Sequence, residues 1–88
     1  MPTAGEVVLA LNGRDKGSCF LVLGSENGRV LIADGNRRKL ERPKQKNLRH
    51  LQSTGHSIPL DSVTGNRRLK SLLSVIHPVE AARLTVNE

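Results

Sequence analysis

The chain carries its densest positive charge between Asn36 and His50. Seven of these fifteen residues are lysine or arginine, and Glu41 is the only acid among them. The seven cations are Arg37, Arg38, Lys39, Arg42, Lys44, Lys46 and Arg49. Like charges at this density repel one another, and a face made only for solubility would intersperse acids. The segment therefore predicts a surface that binds phosphate groups, with a merely solvated face as the alternative.

Two smaller groups of cations could extend such a surface. Arg14 and Lys16 lie in a polar loop before Gly17, which suits a positive φ angle or the close approach of a backbone. An ordinary polar turn is the alternative for this loop. The other group opens a predicted helix and consists of Arg67, Arg68 and Lys70. The amides of a helix N-terminus also favour anions, so this group is a second candidate phosphate contact.

Residues that could support catalysis or bind a metal lack the necessary spacing. His50, His56, His77 and Cys19 do not form a metal-ligand pattern. The glycine-containing run 24–28 lacks the Gly-Lys-Ser/Thr ending of a phosphate-binding P-loop. No pair of carboxylates lies in an apolar setting that would suit acid–base catalysis. We therefore expect no enzymatic activity, no metal, no cofactor and no small-molecule substrate.

Composition favours a polyanionic partner. The chain has 88 residues and a formal net charge of +6, which allows one small domain and indicates an anionic ligand. Phe20 is its only aromatic residue, so modules that stack bases on aromatic side chains are poor candidates. A nucleic acid would then be contacted mainly through its phosphates, with shape favoured over base sequence.

The sequence also predicts the cellular compartment of the protein. The longest apolar runs are too short to span a bilayer, and no signal peptide is visible at the N-terminus. A single cysteine fits a reducing compartment. We therefore expect a cytoplasmic protein without a membrane partner.

Short strands separated by turns are predicted in residues 1–52. The pattern indicates strands at 6–11, 18–23, 29–33 and 37–42, with a short fifth strand at 48–52. Asp34-Gly35 or Gly35-Asn36 is a hairpin signal before the fourth strand, and Pro43 would end that strand. Leu40, Leu48 and Leu51 would anchor the basic segment. Five short strands at this spacing predict a mainly β fold, a small antiparallel barrel.

A C-terminal extension is predicted from residue 53 to residue 88. Residues 53–57 are typical of a linker. Leu69, Leu72, Leu73 and Ile76 then form the apolar stripe of an amphipathic helix at about 64–76. Thr64 or Asn66 would cap this helix, and Pro78 would stop it before a short tail. We expect the apolar stripe to pack on the barrel, with a partner-binding helix as the alternative.

The first half of the chain also resembles a known family. The run from Glu6 to Ser18, EVVLALNGRDKGS, looks like the KOW motif of ribosomal proteins and NusG-type transcription factors, with Gly17 at the glycine position. The stretch 5–52 resembles small bacterial KOW-domain RNA-binding proteins, which are similar to the archaeal and eukaryotic fourteenth-type large-subunit ribosomal protein. NusG-type members commonly have a second glycine where Phe20 stands, which favours the ribosomal branch. The resemblance implies an SH3-like barrel with RNA contacts at Arg14, Lys16 and Gly17.

Together these observations predict a ribosome-associated protein that binds structured RNA, most of all ribosomal RNA, through its basic surface. Ribosomal proteins are additional candidate partners. The alternative is a protein–protein adaptor on ribosomal or transcription machinery whose charge serves solubility. DNA binding is also compatible with the charge. The sequence does not choose between a permanent ribosomal subunit and a transient factor.

Overall fold

The fold is mainly β, with one long helix at the C-terminal end. The computed structural model describes residues 1–86, with side chains described through residue 79. The strands are β1 (Glu6–Ala10), β2 (Cys19–Glu26), β3 (Arg29–Ala33), β4 (Lys44–Lys46) and β5 (Leu51–Ser57). Two short 3-10 turns cover Leu48–His50 and Leu60–Ser62, and the helix α1 spans Asn66–Val86.

The five strands form one antiparallel sheet in the order β4-β3-β2-β1-β5. The predicted barrel is not closed, because β4 and β5 are the two edges and do not pair with each other. In a flat sheet, four strand spacings of about 4.8 Å would separate these edges by about 19 Å. Residues 47–50 alone connect β4 to β5, and three of them lie in a 3-10 turn that rises only about 2 Å per residue. The sheet is therefore strongly curved.

Apolar side chains are buried on both faces of the central strands. On β1, Val7 and Leu9 belong to one buried cluster, which also includes Leu69 and Leu73 of α1. Val8 of the same strand belongs to a second cluster of six residues on the other face. Alternation of side chains along β1 thus supplies both clusters. The helix covers one face, and the curvature of the sheet encloses the other.

The predicted fourth strand at residues 37–42 is wrong. Residues 34–43 form a loop, which we call the basic loop, and β4 is limited to the three residues after it. The Asp34 carboxylate accepts hydrogen bonds from the backbone amides of Asn36 and Arg38, both at 2.9 Å. The amide of Arg42 donates to the carbonyl of Lys39 at 3.0 Å. Backbone amides that would pair with a neighbouring strand therefore form hydrogen bonds within the loop instead.

Two other expectations near the end of the sheet are also corrected. The predicted linker at residues 53–57 belongs to β5, so this strand crosses the expected boundary between residues 52 and 53. Leu48, expected to anchor the basic segment, is 41% exposed. Leu40 and Leu51 do pack against the buried clusters, as predicted. The expected extension therefore contributes to the sheet as well as carrying the helix.

The predicted helix exists, but its ends differ from the expectation. Its first backbone hydrogen bond joins the amide of Leu69 to the carbonyl of Gly65, so neither Thr64 nor Asn66 occupies the capping position. Pro78 lies inside the helix and does not stop it. A proline removes one backbone donor, which leaves the carbonyl of Ser74 without its helical partner. Because Ser74 is exposed, water can satisfy that carbonyl. Residues 87 and 88 of the predicted tail lie outside the described residues.

Within residues 1–86, no helix is both long enough and apolar enough to cross a bilayer.

Candidate functional site

Strand order places two cation-bearing loops at the same end of the sheet. The chain passes through β1, β2, β3 and β4 as neighbouring antiparallel strands, so successive connections alternate between the two ends. The connection 11–18, which we call the first loop, and the basic loop therefore share one end. The tight turn at Asn27 and Gly28, both with positive φ, lies at the other end together with Arg29.

An ion pair with a buried acid joins these two loops. The Arg38 Nη2 donates to Asp15 Oδ2 at 3.0 Å, across 23 residues of chain. The Asp15 side chain is 2% exposed and that of Arg38 is 26% exposed. The backbone of Arg38 is fixed as well, because its amide donates to Asp34 Oδ1. Breaking a buried pair leaves an uncompensated charge, so this contact fixes how the loops meet.

Three arginines from the two loops surround one polar hollow. They are Arg14 of the first loop and Arg37 and Arg38 of the basic loop, and the hollow, which we call the arginine hollow, has a volume of about 410 Å³. Within the described part of the chain, neither Arg14 nor Arg37 has a side-chain hydrogen bond or an ion-pair partner. The Arg38 Nε is buried and also has no partner there. The hollow is thus lined by two guanidinium groups, those of Arg14 and Arg37, that no group in the described part of the chain satisfies.

The first loop is held in place by other elements. Gly17, with φ of +86°, donates its amide to the carbonyl of Ala10 at 2.9 Å, which closes the loop. The positive φ predicted for Gly17 is confirmed, but no close neighbour occupies the place of its missing side chain. The His77 Nε2 of α1 lies 3.0 Å from the carbonyl oxygen of Gly17. Lys46 Nζ donates to the carbonyl of Asn12 at 3.4 Å. Contacts from β4 and α1 therefore order this loop.

The basic loop rests on the first turn of α1. Gly35 has φ of +76°, and a Cβ atom there would lie 2.2 Å from the backbone oxygen of Asn66. The Asn66 Oδ1 accepts a hydrogen bond from the amide of Leu40 at 2.8 Å. The Asn66 Nδ2 donates to Glu41 Oε1, and this bond, with smaller contributions from the Glu41 backbone and Lys39, lowers the pKa of the Glu41 carboxyl. Asn66 therefore fixes the loop to the helix.

The remaining predicted cations differ in how accessible they are. Lys16, Lys39, Arg42 and Arg49 are exposed, Lys44 is partly buried, and Lys46 is buried at 9% exposure. The turn that carries Arg49 also adjoins the first loop, because the amide of Leu11 donates to the carbonyl of His50 at 2.9 Å. Lys46 orders the first loop, while the exposed side chains are available to a ligand.

The predicted second group of cations at the start of α1 does not share one hollow. Arg67 and Arg68 line a shallow groove beside the helix N-terminus. Lys70 lines a separate groove between α1 and the first loop, together with Asn36 and His77. All three cations are exposed. They therefore extend the positive surface without forming a compact site of their own.

Sequence reasoning missed the residues that hold the site together. The residues that position the cations have partners that lie far away in sequence or on the backbone; they are Asp15, Asp34, Gly35, Asn66 and His77. The sequence offered one signal for this arrangement. Successive antiparallel strands run in opposite directions, which predicts that the first loop and the basic loop lie at the same end of the sheet. Among the residues the structure describes, no cluster of histidine, cysteine or acidic side chains could hold a metal ion.

No family model matches the chain, and no curated protein is significantly similar to it.

Proposed function

We propose that this chain is a cytoplasmic, non-catalytic module that binds structured RNA, ribosomal RNA above all, through its phosphate groups. The observation that carries the proposal is the convergence of exposed cations from two loops at one end of the sheet, with three arginines around one hollow. Guanidinium groups match the geometry of phosphate oxygens and remain charged at any physiological pH.

The aromatic content favours phosphate contacts over base stacking. Phe20, the only aromatic residue, is 1% exposed and belongs to a buried cluster. It cannot offer a stacking surface to an unpaired base without unfolding the sheet. Structured RNA, which is contacted through its phosphates and 2′-hydroxyls, fits this surface better than single-stranded RNA does.

The arrangement of the first loop supports the proposed relationship to KOW domains. From Glu6 to Glu26 the chain forms β1, then the first loop, which contains two cations and Gly17 with positive φ, and then β2. The strongly curved five-stranded sheet is compatible with an SH3-like barrel, which we propose as the fold family. On this proposal, Arg14 and Lys16 contact RNA from the first loop, and the basic loop enlarges the contact surface.

The proposal is tested by RNA binding across a salt series. Purified protein is titrated with a structured ribosomal RNA fragment and co-sedimented with ribosomal subunits. If about six cations neutralise phosphates, affinity falls by about three orders of magnitude between 50 and 200 mM salt, by the slope known for double helices. The double variant Arg37→Ala/Lys39→Ala should bind all structured RNAs more weakly and show a flatter salt dependence. The control Arg29→Ala removes an exposed arginine at the opposite end of the sheet and should change little.

Other outcomes would identify the alternatives. If Arg29→Ala and Arg37→Ala/Lys39→Ala lose the same binding free energy for each charge removed, binding depends on total charge and not on this end of the sheet. Duplex DNA that competes as well as duplex RNA would remove the preference for RNA. No binding to RNA in dilute buffer, together with salt-insensitive binding to a ribosomal protein, would contradict the proposal and support the adaptor.

A further inference from the structure

The arginine hollow differs from the rest of the positive surface in how its cations are held. Lys39 and Arg42 are exposed side chains of the same basic loop, but they do not line the hollow. Arg38, in contrast, is fixed at its backbone by Asp34 and at its guanidinium by Asp15. An ordered guanidinium loses less conformational freedom when it binds, so it can direct donors at one position.

We propose that Arg14, Arg37 and Arg38 together form a site for a single phosphate group, and that Asp15 is the positioning residue that holds Arg38 in it. The inference rests on the proposed function, whose ligand it specifies as one phosphate of the RNA backbone held at a defined point. Two features favour a defined phosphate-binding site over a non-specific positive electrostatic potential. The arginines come from two loops that a partly buried ion pair joins, and the guanidinium groups of Arg14 and Arg37 have no protein partner in the described part of the chain.

The geometry of the ion pair also explains an acid in the middle of a basic surface. Asp15 is 2% exposed, so a ligand does not meet its carboxylate directly. It bonds to Nη2 of Arg38 and leaves Nη1 without a protein partner in the described part of the chain, while Nε is buried. Its negative charge reduces the mutual repulsion of the three guanidinium groups around the hollow. Asp15 therefore favours anion binding although it lowers the net charge.

The substitution Asp15→Asn separates this inference from binding by total charge. It removes one negative charge, so the formal net charge rises from +6 to 14 − 7 = +7. If only total charge mattered, RNA would bind more tightly. If Asp15 positions Arg38, binding weakens by about threefold to tenfold, because a directed charge-assisted hydrogen bond is lost. The two hypotheses thus predict opposite signs for one variant.

A second pair of variants keeps the charge constant and does not depend on the stability of Asp15→Asn. Arg38→Lys preserves the positive charge but removes the planar donors, and should weaken RNA binding about tenfold. Arg42→Lys makes the same change in the same loop, outside the hollow, where a point charge is enough for a phosphate contact, and should weaken RNA binding much less than Arg38→Lys does. Circular dichroism would establish that each variant is folded before its affinity is compared.

Inorganic phosphate provides a readout that does not involve RNA. Titrated into the free protein, it should shift the arginine Nε–Hε NMR signals of Arg14, Arg37 and Arg38 with one common dissociation constant, and leave those of Arg29 and Arg42 unmoved. Independent, unsaturable shifts of all the arginines would overturn the inference. So would tighter RNA binding by Asp15→Asn, or equal effects of Arg38→Lys and Arg42→Lys. If the phosphate titration succeeds while the wild-type protein ignores RNA, the proposed function fails and the phosphate site stands.

Discussion

Gly35 and Gly17 provide a matched test of how the basic loop is supported by α1. Both glycines have positive φ, +76° and +86°, and differ in the space around the missing side chain. At Gly35 a Cβ atom would lie 2.2 Å from the backbone oxygen of Asn66 and 3.1 Å from the backbone nitrogen of Lys70. At Gly17 nothing lies within 4 Å. Alanine is therefore strained at both positions but clashes at only one.

The expected losses of folding stability follow from the backbone strain at both glycines and from the steric clash at Gly35. A residue other than glycine in the left-handed region costs roughly 1–2 kcal/mol, so Gly17→Ala should lower the free energy of unfolding by about that amount. At Gly35 the clash with a helix backbone adds overpacking of about 1–3 kcal/mol, so Gly35→Ala should lose about 2–5 kcal/mol. For a domain of this size, each 1 kcal/mol lowers the melting temperature by about 4–8 °C.

The chain has no tryptophan or tyrosine, so thermal unfolding is best followed by far-ultraviolet circular dichroism. Gly35→Ala should melt well below Gly17→Ala. Equal melting temperatures for the two variants would refute the reasoning, because they would mean that the basic loop does not pack on the backbone of α1.

Three further substitutions test the attachment of α1 and of the basic loop. Leu69→Ala, at a fully buried position, should lower the free energy of unfolding by about 2–5 kcal/mol in denaturant titrations. Val75→Ala, at a position that is 72% exposed on the same helix, should change it by less than about 0.5 kcal/mol, and similar losses would contradict the packing described. Asn66→Ala removes the donor that lowers the pKa of Glu41, so an NMR titration should find this pKa higher than in the wild type. Because the folded-state pKa lies below the unfolded one, the stability from this contact is present above the unfolded pKa and is lost as the pH falls through the folded pKa. An unchanged Glu41 pKa would contradict the assigned bond.

Local patterns were sufficient to predict the first three strands and the helix. The predicted strand at 18–23 coincides with the first part of β2, and the run from Val30 to Ala33 is found in β3. Leu69 and Leu73 are buried and Leu72 and Ile76 pack beside them, as the spacing of the apolar stripe predicts. These elements follow from side chains that alternate or recur within a few residues, so the signal that defines them is local.

The fourth strand was mispredicted because tertiary contacts determine the basic loop. The hairpin signal at residues 34–36 favoured a strand from Arg37 to Arg42, but the backbone of this segment is bonded to the side chains of Asp34 and Asn66. Asn66 lies 26 residues from Leu40, whose amide it binds, and no local pattern reports such a contact. The side chain expected to cap the helix holds this loop instead.

The sequence was sufficient to identify the cations of the candidate site but not to predict how they are arranged. The sequence displays Arg14, Arg37 and Arg38 as charged residues of two separate segments, and antiparallel order brings those segments to one end of the sheet. The burial of Asp15 has no sequence signal, since an acid in a polar loop is ordinarily exposed. The contact between His77 and the first loop depends on how α1 lies across the sheet, which is set by the packing of its apolar stripe.

The acids at this end of the sheet explain how so dense a group of cations can fold. Asp15 binds the guanidinium of Arg38, Asp34 accepts two backbone amides of the basic loop, and Glu41 accepts the side-chain amide of Asn66. Each acid therefore orders a loop and at the same time reduces repulsion among the neighbouring cations. If these acids merely diluted the positive charge, replacing them by neutral residues would strengthen anion binding. Because they order the loops, we expect the same replacements to weaken it.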